Sequence, residues 1–290
     1  TVLPFTLALG LPDGFARRIA RNTQLIFIHE GKLAKVADPA AGAGSFEALT
    51  EELCARAWSL LQSFEAQGGM IAALRAGLPQ REIATAAVAR NHAIARRSRA
   101  ITGTSAFPDL AEAPVPVLEP SPAALAFLPE GEECAPLRPF RDAEPFERLR
   151  AIVAQHFAMT GERPRIFLFL AAADQEGRQA ADFAKGFFAV AGIEAVQGEA
   201  AGQGPAAFRA SGCKAACICI SPALETETLI ECARMLRRAG AARVSMAGHR
   251  RIDAEAALRA AGVDEFVCIG CDALAILEDT LTAALSQIRR

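Results

Sequence analysis

From residue 166 onward the chain alternates short apolar runs with longer amphipathic stretches, and few folds accommodate that rhythm. The apolar runs cover 166–170, 193–197, 216–220, 243–246 and 265–269. Between and after them, 179–191, 205–210, 224–239, 253–261 and 272–288 read as helices. Several runs, such as Ala216-Cys217-Ile218-Cys219-Ile220, are apolar throughout instead of alternating with polar residues, the pattern of strands buried on both faces of a parallel sheet. Parallel neighbours need a crossover connection, here a helix, and such crossovers are right-handed. Residues 146–290 are therefore expected to form an α/β domain, a doubly wound parallel sheet of flavodoxin type, entered through a helix over 144–159.

The preceding residues are patterned differently. Asp13 after Pro12 reads as the N-cap of a helix reaching about Ile28, and a long amphipathic helix over 46–66 ends at Gly68-Gly69. The apolar stripe of the latter includes Leu49, Leu53, Ala57, Leu60, Leu61 and Phe64. A third helix is expected over 80–97, and short strands at the start of the chain and at 101–104. Two short strands cannot close a sheet, so the core of residues 1–107 must be completed by other material. Nine prolines between Pro108 and Pro145 exclude a long regular element, making 108–145 a linker or belt; Leu125, Phe127 and Leu128 favour a belt that docks.

Composition narrows the function classes. A net charge of −2 gives no electrostatic reason to expect nucleic acid or an anionic membrane. No apolar run reaches the roughly 18 residues of a membrane span, and the first residues carry no secretory leader, so a cytoplasmic address is expected. The eight cysteines include Cys213, Cys217 and Cys219 with Cys268 and Cys271, two groups that invite comparison with a zinc site. Cys217, Cys219 and Cys268 fall in apolar strand-like runs, where free cysteine behaves as a small hydrophobe, so core thiols are expected in place of a metal site.

In an open parallel sheet, ligands sit at the carboxyl ends of the strands. The loop after the first strand offers Asp174-Gln175-Glu176-Gly177, with carboxylates, an amide and glycine but no imidazole. No histidine lies between His156 and His249. His249, after the fourth strand, is the most ligand-like of the four histidines; His29 suits a helix C-terminus and His92 a solvated basic helix face. There is no glycine-rich phosphate loop, and Ser105 and Ser221 lack the signature of a nucleophile elbow. No catalytic or metal-ligating set emerges from the residues.

Several stretches resemble the methylmalonyl-CoA mutases. Ala16-Arg17-Arg18-Ile19-Ala20-Arg21-Asn22-Thr23-Gln24, Asp38-Pro39, Gly68-Gly69-Met70 and Gly77-Leu78-Pro79-Gln80 are similar to the end of that family's catalytic barrel. The run from Ile101-Thr102-Gly103-Thr104 to Pro108 resembles the small, or β, subunits, as does the close, Ala260-Ala261-Gly262-Val263-Asp264-Glu265-Phe266 with Gly270-Cys271-Asp272-Ala273. The resemblance implies that 1–107 is the C-terminal remnant of a (β/α)8 TIM barrel and 146–290 a cobalamin-binding-like domain. In the family, a large (α) subunit isomerises methylmalonyl-CoA and succinyl-CoA, with acyl-CoA in its barrel and adenosylcobalamin on its flavodoxin-like domain.

The family motif Asp-x-His-x-x-Gly places histidine beneath cobalt, and the loop around Asp174 to Gly177 has none. Ser-x-Leu becomes Ser221-Pro222-Ala223, Gly-Gly becomes Ala247-Gly248, and a barrel histidine expected near residues 1–3 is absent. The implied protein is a non-catalytic small subunit paired with a large subunit as a heterodimer, in propionate metabolism. It would bind no cofactor itself and keep a degenerate crevice at Asp174, Gly177, Ser221, Gly248 and Gly270. Phe187 and Phe188 are candidates for filling that crevice. The rival readings are a divergent catalytic acyl-CoA mutase chain and a cobalamin-carrying or sensing module.

Overall fold

A computed structural model of the chain describes residues 2–113, 115–119, 134–137, 140–198, 204–249 and 251–285. Two compact units emerge, one from residues 1–87 with 113–139, the other from 88–112 with 140–290. The division differs from the sequence pattern, which separates the chain after 107 and after 145.

The first unit is helical. Helix α1 (Gly14–His29) starts where Asp13 accepts a hydrogen bond from the Ala16 N–H at 2.8 Å, satisfying one of the free amides of a helix start. Helix α2 (Gly44–Glu65) is followed by Gly68 and Gly69, whose φ angles of 92° and 87° turn the chain into a short helix α3 (Met70–Arg75) that the sequence pattern does not suggest. Helix α4 spans Leu78–Ala95. Leu11 exchanges backbone hydrogen bonds with Leu118 and Glu119, so this piece of the proline-rich segment lies docked; Leu125, Phe127 and Leu128 fall outside the described residues. The opening residues form turns instead of the expected strand.

Little of this unit is buried. Of the α2 stripe only Phe64 is enclosed, while Leu49, Leu53, Leu60 and Leu61 are exposed together with Phe15, Ile19 and Phe27 of α1. Apolar helix faces are ordinarily buried against another layer, and these are exposed.

In the second unit, α5 (Glu144–Thr160) precedes β1 (Arg165–Leu170), α6 (Gln175–Ala189), β2 (Glu194–Gln197), α7 (Gly204–Ser211) and β3 (Ala215–Cys219). Helix α8 (Thr226–Arg238), β4 (Arg243–Ala247), α9 (Glu255–Ala260), β5 (Glu265–Val267) and α10 (Ala273–Leu285) complete it. All pairings are parallel and the order is β2-β1-β3-β4-β5, an α/β architecture as expected. Ile166 and Leu168 point to the side packed by α5, α6 and α10; Phe167 and Phe169 point to the side packed by α7, α8 and α9. Cys217 and Cys219 are buried in the first of these layers, and burial pushes the Cys217 thiol well up, so it remains a protonated apolar side chain.

Residues 88–112 belong here because α5 holds them. The Arg150 guanidinium donates to the carbonyls of Gly103, Thr104 and Val190 at 3.0, 2.8 and 2.9 Å, and Ile94 enters the core beside Phe146. The expected strand at 101–104 is a tight turn instead: Gly103 takes φ 79°, Ser105 donates its N–H to Ile101, and a single bridge joins Thr102 to Ala106. Among the described residues, no helix is long and apolar enough to cross a membrane.

Candidate functional site

Beyond β1 the chain turns through three alanines to Asp174, the N-cap of α6. One Asp174 carboxylate oxygen accepts from the Gly177 N–H at 2.7 Å. That bond above all holds the Asp174 carboxyl below its usual range. Gly177 leaves no room for a side chain, since a Cβ there would lie 2.2 Å from the Ala172 carbonyl oxygen. Ser221, just past β3, is fully buried; it donates to Glu176 at 3.2 Å and accepts from the Ala223 N–H at 3.3 Å. Asp174, Glu176 and Ser221 thus form a polar knot across the ends of β1 and β3, where the chain's path through the sheet reverses and ligands of this architecture gather. One Asp174 oxygen is committed to the start of α6.

Above the knot opens a cleft of about 660 Å³ whose walls include Glu176, Ala180, Phe183, Gly248, His249 and Gly270. Gly248, with φ 134°, lets β4 leave the sheet against β3: a Cβ would meet the Ile220 side chain at 2.8 Å and its carbonyl at 2.9 Å. Gly270 takes φ 82° with open space around it. Of the five crevice positions expected from sequence, Gly248 and Gly270 are on the wall, Ser221 bonds the wall residue Glu176, and Asp174 and Gly177 bond each other at the start of α6. His249 is exposed and is the one imidazole among the described lining residues.

The expected filling of the crevice is not what α6 provides. Phe188 is fully enclosed in the core, packed edge-on against Phe187 with centroids 5.3 Å apart. Phe187 lies under the Arg97 guanidinium, 5.6 Å from the ring centroid, beside a smaller hollow of about 140 Å³. Burial lowers the Arg97 pKa. It is Phe183, one turn earlier, that faces the cleft. Cys268 and Cys271 also line the cleft, half-buried, because β5 ends at Val267 and not at 269. Among the described residues, no group of three or more His, Cys, Asp or Glu side chains is placed to hold a metal ion.

Residues 2–154 match the family model described as methylmalonyl-CoA mutase. Over 287 residues the chain is 42% identical to the methylmalonyl-CoA mutase small subunit of Streptomyces virginiae, covering 97% of this chain and 43% of that protein. Against the small subunit of Propionibacterium freudenreichii subsp. shermanii the identity is 32% over 285 residues, with shares of 97% and 43%. A Rhizobium meliloti protein named methylmalonyl-CoA mutase is 45% identical over 121 residues, 42% of this chain and 17% of its own. The chain therefore spans less than half the length of these relatives.

Proposed function

Because the chain belongs to the methylmalonyl-CoA mutase family, we propose that it is part of the small, or β, subunit of a heterodimeric mutase that interconverts methylmalonyl-CoA and succinyl-CoA. In this reading the large subunit holds adenosylcobalamin and acyl-CoA and performs the chemistry, while this chain supports it. Residues 1–107 are the closing part of a (β/α)8 barrel, 108–145 a belt, and 146–290 a flavodoxin-like domain of cobalamin-binding type. The strand order supports the last assignment. Exposed apolar faces on α1 and α2 support the first, because helices of such a barrel pack on an inner ring of strands. The pair would work in the cytoplasm, where exposed Cys54 remains a free thiol.

The observation that carries the non-catalytic reading is the state of the loop after β1. Gly177 anchors the comparison, since its backbone tolerates no side chain. Counting the motif Asp-x-His-x-x-Gly back from it sets Asp174 where histidine stands beneath cobalt, and Ala172 where the motif's aspartate stands. A carboxylate tied to the Gly177 amide does not fit the role of a neutral imidazole ligand. These residues do not suit the cofactor's usual ligation, and no step of the isomerisation is assigned to them.

A second reading rests on His249. It places an imidazole on the cleft wall from β4, one route by which a divergent cobalamin-binding chain, catalytic or sensing, would reach a metal. Co-purification from the native host separates the two. A tagged copy of the chain is expected to bring down a longer mutase chain that carries the corrinoid. Recovery of the chain alone with corrinoid bound would favour the second reading.

A further inference from the structure

Between β5 and α10 the sequence Cys268-Ile269-Gly270-Cys271 folds into a single turn, closed by the Cys271 N–H donating to the Cys268 carbonyl at 3.2 Å. Gly270, at φ 82°, occupies the left-handed third position that a type II turn requires. Turns of this kind keep their first and fourth Cα atoms within about 7 Å. Disulfides join cysteines whose Cα atoms lie about 4.4–6.8 Å apart.

Access distinguishes this pair from the other clustered thiols. Cys217 and Cys219 are fully buried in the sheet, whereas Cys268 and Cys271 are half-buried on the cleft wall, and Ile269 between them is 94% exposed. Partial burial pushes the Cys271 thiol up, with the nearby Arg97 charge pulling the other way, so its resting state is the thiol. The spacing Cys-x-x-Cys after a strand and before a helix is also one in which two thiols are close enough to share a disulfide and is read as a redox motif.

We propose that Cys268 and Cys271 form a redox-active vicinal dithiol at the mouth of the cleft, oxidised to an intramolecular disulfide by low-molecular-weight disulfides of the glutathione class. One cysteine, as thiolate, attacks a sulfur of the small disulfide; a protein–small-molecule disulfide forms and the first small thiolate leaves. The second cysteine then attacks the protein sulfur of that mixed disulfide and expels the second small thiolate. Both thiol protons end on the departing thiolates, so the dithiol loses two electrons and the small disulfide gains them. The site is independent of the mutase assignment and concerns this chain alone.

The test uses the full chain equilibrated in glutathione buffers of rising oxidised fraction, then acid-quenched, alkylated and digested with trypsin. The tryptic peptide 260–289 contains Cys268 and Cys271 and no other cysteine, so its mass reports the pair directly. The expected result is conversion of the doubly alkylated peptide to an unalkylated form two hydrogens lighter. Cys268→Ser and Cys271→Ser, checked for unchanged circular dichroism, are each expected to accumulate a glutathione adduct on the remaining cysteine instead. A wild-type peptide that stays doubly alkylated in the most oxidising buffer, or takes up glutathione without closing the ring, overturns the assignment without recourse to the variants.

Discussion

Phe188→Ala is expected to remove about 3–5 kcal/mol of stability, the range for truncating a fully enclosed aromatic ring. Phe188 is 0% exposed and shares a core with Phe146, Ile166 and Val190. The substitution leaves a void in the layer beneath the sheet, where surrounding side chains relax only partly, and does not enlarge the cleft. Phe183→Ala is the informative partner, because Phe183 is half-buried and faces the cleft. Its removal should cost clearly less, about 1–2 kcal/mol, in line with the smaller apolar area withdrawn from water. Denaturant unfolding of both variants checks the ranking. A loss below about 1 kcal/mol for Phe188→Ala would mean that the ring is a removable filling and not a core element.

Gly177→Ala tests the loop after β1 with an opposite sign from helix propensity. Propensity alone makes alanine better than glycine inside a helix by about 1 kcal/mol. Here the added Cβ would fall 2.2 Å from the Ala172 carbonyl oxygen and 3.1 Å from an Asp174 carboxylate oxygen. The obstacle is backbone, so the first turn of α6 must move, at about 1–3 kcal/mol for overpacking with about 1 kcal/mol more if the Asp174 cap breaks. The expected outcome is a melting temperature lower by several degrees, at about 2–4 °C per kcal/mol for a domain of this size. Gly186, in the same helix, has nothing within 4 Å of a built Cβ, so Gly186→Ala should be neutral or stabilising. Equal behaviour of the two alanines would contradict the close approach at Gly177.

Local signals in the sequence carry much of this fold. The apolar runs that become β1 and β3 end in the middle of the sheet because a segment without polar alternation is buried on both faces, whereas β2, at the edge, keeps Glu194 and Gln197 exposed. Asp13 caps α1 as its position before an apolar-periodic stretch implies. Long-range attachments leave no such mark. Arg150 and Arg163 tie residues 103–110 to the second unit through carbonyl oxygens, which every residue possesses, so the boundary near 88 is invisible to composition. Phe183, Phe187 and Phe188 are alike as letters; only their angular positions on α6, and what packs at each, separate a cleft wall from a core.

The site is partly readable for the same reason. Glycines at 177, 248 and 270 announce backbone constraints, and the structure supplies the carbonyls or the positive φ that require them. The missing imidazole is evident from the sequence, but the alternative use of Asp174 as a helix cap appears only with the Gly177 hydrogen bond. Cys268 reads as part of an apolar strand because Phe266 and Val267 precede it; the turn that ends β5 early needs Gly270 at its third position, a signal outweighed by the hydrophobic run.

The central proposal is that this chain's cleft, at the carboxyl ends of a parallel sheet, holds no cobalamin through a protein imidazole. Adding adenosylcobalamin, whose upper ligand the free thiols do not displace, to the purified chain and following the visible spectrum tests it most directly, with His249→Ala measured in parallel. The account predicts the same spectrum with and without protein, identical in the variant. A spectral shift that reports histidine on cobalt in the wild type, and disappears in His249→Ala, would contradict it.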